Sequence, residues 1–356
     1  MSAAAHQHTG VEKMAPHIAS QARFAMVRKF TRQACVLALG VAGLGLAQQK
    51  AGTSPFHAAE TLLAEHRLAE ARTEAIEQLK THASVEGYNL LGIIESDQQD
   101  YQAAVSSFEQ ALRLSPKSAK TLNNLGNAYA AQKQWDLAES KFRTVLRMDP
   151  ANADANYNLG VLLMMKGSAA DAIPHFERVR TTESQFNLVR AYLQTHRTAE
   201  ALRTADSLSD NHKGEVQVQF SLGVLLASAQ QYKAAQRLLN RAESLEPDRF
   251  EILFNLGQVL LRAGDNNGAE LTLNRALKIQ PANAEALYLL AQTYVAQSRP
   301  LDALNVLMQA HKNAPQNADL HIDGCVRQTC SLALPYVSQN RIRIYVSNGQ
   351  GVKVFP

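Results

Sequence analysis

The chain has little of what enzymes and metalloproteins display. Among its 356 residues there are three cysteines and one tryptophan, and aromatic residues make up only 6%. Cys325 and Cys330 are the only cysteines after residue 47. An exported chain permits a disulfide between them, but no other feature of the sequence argues for one or for a metal site. The eleven histidines are scattered, and H-E-x-x-H, G-x-S-x-G and phosphate-loop motifs are absent. Catalysis, a cofactor and a bound metal therefore have no support in the sequence. A long apolar run is missing too: Ala34 to Leu46 is glycine-rich and falls short of the ~20 residues a spanning helix needs. Nor does the body carry an excess of positive charge. The net charge is +4, but residues 1–47 hold five basic and one acidic residue and residues 321–356 four and one, leaving 27 basic against 30 acidic in residues 48–320. A nucleic-acid surface needs a basic stripe on the fold, and here the basic excess lies at the two ends.

What the chain does have is helical periodicity on a background that is 46% hydrophobic. In Ala119 to Asn152, Leu122, Leu125, Gly126 and Tyr129 recur at the three- and four-residue spacing of one helical face, and Ala138, Phe142 and Val145 form a second. A turn is expected near Gln132 to Gln134. Pro150 stops the second helix, because it lacks an N–H and clashes with the preceding turn. Gly126 and Ala138, with minimal side chains, let the two backbones approach closely. The unit is helix, turn, helix, stop, and most of the chain is this unit copied with variation.

The copies begin at Val85, Ala119, Ala153, Thr182, Val216, Phe250 and Ala284, on a 34-residue step broken once by a 29-residue step before Thr182. L-G-x2-Y, then A-x3-F, then P on this period resembles the tetratricopeptide repeat, with Leu122 in the usual Trp slot. The resemblance implies an all-α solenoid of stacked helix-turn-helix repeats forming a right-handed superhelix, with seven repeats over residues 85–317. Residues 54–84, with Ala71 and Ala75 in the second-helix phase, read as a degenerate repeat or an N-terminal cap. Each unit is stabilised by its neighbours. The short step should therefore loosen the stack, with residues around Thr181 the least protected.

The ends follow other rules. Residues 1–25 lack an apolar period and read as disordered or as an upstream translation start. Residues 26–47 read as a signal peptide: Arg28, Lys29 and Arg32 precede the apolar run, and Gly45-Leu46-Ala47 offers a small-x-small cleavage site. Export to the periplasm or the exterior is expected, with membrane attachment only if the segment is not cleaved. Residues 318–356 interrupt the array. Ala318 falls where an eighth repeat should start, but its helical pattern vanishes. Either a frameshift or truncation replaced the remaining repeats, or a hairpin closes the chain: Arg341 to Val346 alternates in the manner of a strand, Ser347 to Gly351 offers turn chemistry, and Val352 to Phe355 can pair back.

In solenoids of this kind the first helices line the concave side, and residues there that packing does not need are free to bind. Position six of the repeats reads Leu90, Asn124, Asn158, Asn187, Ser221, Asn255 and Leu289. An Asn amide offers both a donor and an acceptor, so it can pair with a ligand backbone regardless of side chain. Helices packed roughly 8–10 Å apart advance such a row by about one Asn per three extended residues. The row, with Asn123 and Asn127 beside Asn124, resembles the asparagine ladder of O-linked N-acetylglucosamine transferases, whose catalytic domain has no counterpart here. The carboxylate clamp of chaperone-binding relatives fits less well: it would need Lys at Asn89 and Asn at Ile93, although Asn124 matches one clamp position. Common repeat usage, with inter-helix hydrogen bonds and no ligand, explains the same Asn residues. Trp135, Tyr101 and Tyr232, at one repeat position, begin second helices and read as core. The expectation is a non-enzymatic exported scaffold that binds extended segments of a protein or peptide partner and no nucleic acid. The alternatives are a structural component of an envelope secretion or export machine and the regulatory part of a truncated enzyme.

Overall fold

A computed structural model describes residues 54–313, 344–347 and 352–355. The signal segment, the start of the eighth repeat at Ala318, Cys325 and Cys330 lie outside the described residues. The chain divides into two compact units between Lys166 and Gly167. The first contains α1 (His57–Ala64), α2 (Leu68–Leu79), α3 (Val85–Asp97), α4 (Tyr101–Leu114), α5 (Ala119–Ala131), α6 (Trp135–Met148) and α7 (Ala153–Met165). The second contains α8 (Ala169–Phe176), α9 (Thr182–Gln194), α10 (Thr198–Asn211), α11 (Val216–Ser228), α12 (Tyr232–Leu245), α13 (Phe250–Ala263), α14 (Asn266–Ile279), α15 (Ala284–Ala296) and α16 (Pro300–Asn313). Numerically it also includes a short antiparallel pair, β1 (Ile344–Ser347) and β2 (Val352–Phe355), in which Ile344 faces Phe355 and Ser347 faces Val352. Among the described residues this hairpin is the one departure from helix.

Local chemistry sets the helix starts. Ser84, Ser118, Asn152, Thr181 and Asn283 stand just before first helices, and each side chain accepts from a backbone N–H three residues on. Each such bond satisfies one of the donors a helix start leaves orphaned. The turns inside the repeats are equally uniform. Position fifteen has positive φ in all seven repeats, at Gln99, Lys133, Gly167, His196, Gln230, Gly264 and Ser298, and His66 repeats this between α1 and α2. At Lys133 the next N–H, of Gln134, reaches the Tyr129 carbonyl at 2.9 Å, and the N–H of Lys133 reaches Ala130. This is the Schellman closure of a helix end. Only Gly167 and Gly264 carry the residue that conformation favours.

The packing inside each pair is a reciprocity of size. An added Cβ on Gly92 would lie 2.5 Å from the Phe108 ring, and one on Gly126 would lie 2.5 Å from the Phe142 ring. At the equivalent places in the second unit, a Cβ added to Gly223 would lie 2.8 Å from Leu239, and one added to Gly257 would lie 2.7 Å from Leu273. In the repeat at Thr182 the sizes are exchanged: Val189 takes the glycine slot and Ala205 the Phe slot, and both are fully buried. Close packing requires the two positions to share one volume, whichever helix supplies it.

Two features break the uniformity. α8 has eight residues where most other second helices have fourteen, and Pro174 lies inside it. The carbonyls freed at its end are taken by side chains: Arg178 donates to Pro174 O at 2.8 Å and Ser184 Oγ to Phe176 O at 3.1 Å. The missing length of the 29-residue step thus comes out of a second helix. The thinnest packing in the second unit lies one junction further on, between α10 and α11. There Gln219 occupies the slot held elsewhere by Leu122, Leu253 and Leu287. Fully buried, it donates to the carbonyls of Ser209 (3.0 Å) and His212 (2.9 Å) while accepting from Ser209 Oγ (2.6 Å).

Candidate binding site on the first helices

Within each unit the first helices pack on the second helix before them and, where both lie in the same unit, on their own second helix. First helices of neighbouring repeats also touch: α3 with α5 and α5 with α7 in the first unit, α11 with α13 and α13 with α15 in the second. The second helices make their main contacts with flanking first helices, so in each unit the first helices form one face and the second helices the other. Side chains on the first helices at positions two, five and nine lie on one stripe, since residues three and four apart are neighbours on a helix.

The six asparagines singled out by the sequence occupy the first helices in different states. Asn124 is half-buried, and its Nδ2 has no partner. Beside it, Asn123 is buried, donates to Asn152 Oδ1 at 3.4 Å and leaves its own Oδ1 unpaired. Asn127 and Asn158 are half-buried. Asn187 is half-buried and accepts from Arg190 at 3.2 Å. Asn255 is buried and donates to the Glu251 carbonyl of its own helix at 2.7 Å. The amide donor of Asn255 is therefore committed to local back-bonding.

One repeat before Asn123, Asn89 donates to Val85 O (2.9 Å) and Thr121 Oγ1 (2.7 Å), and its Oδ1 is also buried without a partner. A buried unpaired acceptor costs about 1–3 kcal/mol. Asn89 and Asn123 thus each hold a buried acceptor without a partner on the first helices of the first unit, as Asn124 holds a donor. Trp135, Tyr101 and Tyr232 are half-buried at second-helix starts.

Position five carries a signal that the asparagine row obscured. Read through the same period, it runs Asn89, Asn123, Tyr157, Phe186, Phe220, Phe254 and Tyr288. The first unit thus begins with amides, and the second presents a ring on every first helix. Phe186, Phe254 and Tyr288 are half-buried and Phe220 is 6% exposed. Phe254 and Tyr288 pack against the core formed around Leu290, Tyr294 and Leu307. The Arg249 guanidinium lies over the Phe220 ring, 5.4 Å from its centroid, and pairs with Glu246 (3.2 Å) and Glu251 (3.4 Å). Phe250 stacks on Phe254 at 5.7 Å.

Two shallow depressions mark the edge of the second unit. One of about 450 Å³ is lined by Asp265, Asn267, Glu270, Gln297 and Arg299; Gln297 and Arg299 both donate to Glu270, at 2.9 and 3.0 Å, and Asp265 accepts from the Gly268 N–H. The other, of about 600 Å³, is lined by Glu246, Asp248, Arg249, Phe250, Glu251 and Gln280, three carboxylates against one cation. Elsewhere burial and then the hydrogen bond to Glu177 push the Tyr192 phenol up to about 12. The Lys166 hydrogen bond, together with Arg143, holds the Glu139 carboxyl below its usual range. Both shifts come from packing and ion pairs within the scaffold. Among the described residues no group of three His, Cys, Asp or Glu side chains is placed to hold a metal, and no helix is long and apolar enough to cross a membrane.

Tetratricopeptide repeat models match residues 84–151, 123–185, 186–243, 226–293 and 260–322. No curated protein matches the chain in sequence. Similar solved structures include the C-terminal part of a repeat-containing protein of this type from Cytophaga hutchinsonii (17% identity, 76% of this chain and 98% of that one, TM-score 0.51). Yeast Tom70 is similar over 91% of this chain and 74% of its own, at 14% identity and TM-score 0.51. A tetratricopeptide repeat protein from Parabacteroides merdae aligns over 67% of this chain and 96% of its own, at 15% identity and TM-score 0.48. At these identities the likeness to the Cytophaga protein and to Tom70 is one of fold.

Proposed function

Because the chain belongs to the tetratricopeptide repeat family, a protein-interaction scaffold, we propose that it is exported and binds extended segments of partner proteins along the faces of its first helices. The observation that carries this reading is the stripe itself. Within the first unit α3, α5 and α7 touch in sequence, and within the second α11, α13 and α15 do, and the first helices bear half-buried amides and rings that the core leaves only partly covered. The fold supports an interaction role. Export rests on Arg28, Lys29 and Arg32 before the apolar run and on the Gly45-Leu46-Ala47 site.

An array of extended peptides tests binding, using the full chain and a variant carrying Asn124→Ala, Asn158→Ala, Asn187→Ala and Asn255→Ala, with melting compared first. Peptides captured by the first and lost by the second, at equal melting, place the contact on the first helices. Equal capture by both moves it away from these amides. Mass spectrometry of the protein from its own cells tests export. A mature chain starting at Gln48 is expected, and a retained Met26 segment refutes cleavage.

A further inference from the structure

The second unit contains a small cation seat in two successive versions. In the first version Phe220 on α11 supplies a ring, Glu251 at the start of α13 and Glu246 in the preceding turn supply carboxylates, and Arg249 lies among them, over the ring and paired with both acids. One repeat later the same places are held by Phe254, Glu285 and Gln280, with Asn283 where the arginine stood. Ring and carboxylate recur in the sequence and the cation does not; Phe250 stacks on one side of the Phe254 ring. Glu285 is exposed and makes no ion pair among the described residues. Asn283 is occupied otherwise, capping α15 at the Ala286 N–H (2.9 Å) and donating to Gln280 (3.2 Å). The neighbouring depression of about 600 Å³, with Glu246, Asp248 and Glu251 against Arg249, keeps the local field negative.

A guanidinium or ammonium over an aromatic face, with a carboxylate at its edge, gains from the ring quadrupole and from the charge together. The chain's own Arg249 shows that this geometry is attainable at the junction of two repeats. We infer that the junction of α13 and α15 takes an arginine or lysine side chain from the bound partner, and that the partner segment is apolar on either side of it, to lie along the half-buried Phe254 and Tyr288. This inference rests on the reading that extended segments bind the first helices, and it names their chemistry: a basic residue flanked by aliphatic or aromatic ones. With roughly three extended residues per repeat, the two rings span about six residues of ligand, and a nine-residue peptide covers them with a margin.

The test uses the full chain and three blocked nine-residue peptides, Ser-Leu-Ser-Leu-X-Leu-Ser-Leu-Ser with X as Arg, Gln or Glu, titrated by fluorescence anisotropy through an N-terminal label. The Arg peptide is expected to bind at least tenfold more tightly than the Gln peptide, and the Glu peptide most weakly. Glu285→Gln, an exposed change that leaves packing alone, should erase the Arg preference. Phe254→Leu, which keeps apolar bulk but removes the ring face, should reduce it several-fold. Equal binding of the Arg and Gln peptides overturns the inference, as does a preference that survives both substitutions or no binding of the Arg peptide. Binding of all three without preference leaves the groove reading standing. A blank peptide array together with no binding of any of the three removes both.

Discussion

The shared volume of positions eight and twenty-four can be tested as a swap. A Cβ on Gly126 would lie 2.5 Å from a ring atom of Phe142, about 1 Å inside optimal carbon contact, and Phe142 is 1% exposed with nowhere to retreat. Gly126→Val gains a few tenths of a kcal/mol of helix propensity but overpacks this slot, for a net loss of about 3 kcal/mol. Phe142→Ala alone empties it and costs about 3–5 kcal/mol. The native repeat at Thr182 already holds Val189 and Ala205 in these two places, both fully buried. The double variant Gly126→Val with Phe142→Ala should therefore lose at least about 2 kcal/mol less than the sum of the single losses, a coupling in the range found for residues in contact. Urea unfolding followed by circular dichroism gives the overall stability. Hydrogen exchange of amides in α5 and α6 gives a local value that does not depend on the whole array unfolding as one. A double variant as unstable as the sum, or a tolerated Gly126→Val, would refute the idea that one volume is shared between the two helices.

Other expectations follow from the turns, the thin junction and a buried phenol. Gly264 has φ of +87° with open space around it, so Gly264→Ala should cost about 1–2 kcal/mol through backbone strain alone, whereas Lys133→Gly at φ of +60° should be neutral or stabilising by up to about 1 kcal/mol; thermal melts read both. Gln219→Ala strips the carbonyls of Ser209 and His212 of their donor and should destabilise by at least about 2 kcal/mol, visible as faster exchange in α10 and α11; unchanged exchange would mean that water replaces the amide. Amides of residues 177–182 and 211–216 should exchange faster than the turns of the flanking repeats, and uniform protection would contradict loosening at the short repeat. Tyr192 has its native pKa raised to about 12, so its contribution to stability is complete below the ordinary phenol pKa of about 10 and is lost as pH climbs from there through about 12. A spectroscopic phenolate titration should lose its latest step in Tyr192→Phe, while the raised phenols of Tyr129 and Tyr294 stay.

The candidate site was legible in part. The period that aligned Leu125-Gly126 with Leu256-Gly257 also aligned Asn124 with Asn255, but position in a repeat does not say where an amide spends its hydrogen bonds. Asn255 turns back to Glu251, while Asn124 has an unpaired Nδ2. The ring series Phe186, Phe220, Phe254 and Tyr288 was present in the same alignment one column over. It could have been read there, since aromatics in successive repeats stand out in a chain with 6% of them. The cation seat could not. It joins Phe220 to Arg249 and Glu251 across about thirty residues, and only the packing of α11 beside α13 brings them together.

The sequence by itself determined the repeat, the helix pairs and their starting residues, because apolar periodicity, Ser or Asn caps and closing prolines act within a turn or two of chain. It also marked the short repeat before Thr182. Tertiary structure decided how that shortening is absorbed, by an eight-residue α8, and which slots exchange size, as Val189 does with Ala205. It decided as well that position fifteen adopts positive φ even where Gln99, Lys133 or Ser298 stands. Local preference would avoid that conformation in a residue with a Cβ, and two helices closing on one core impose it.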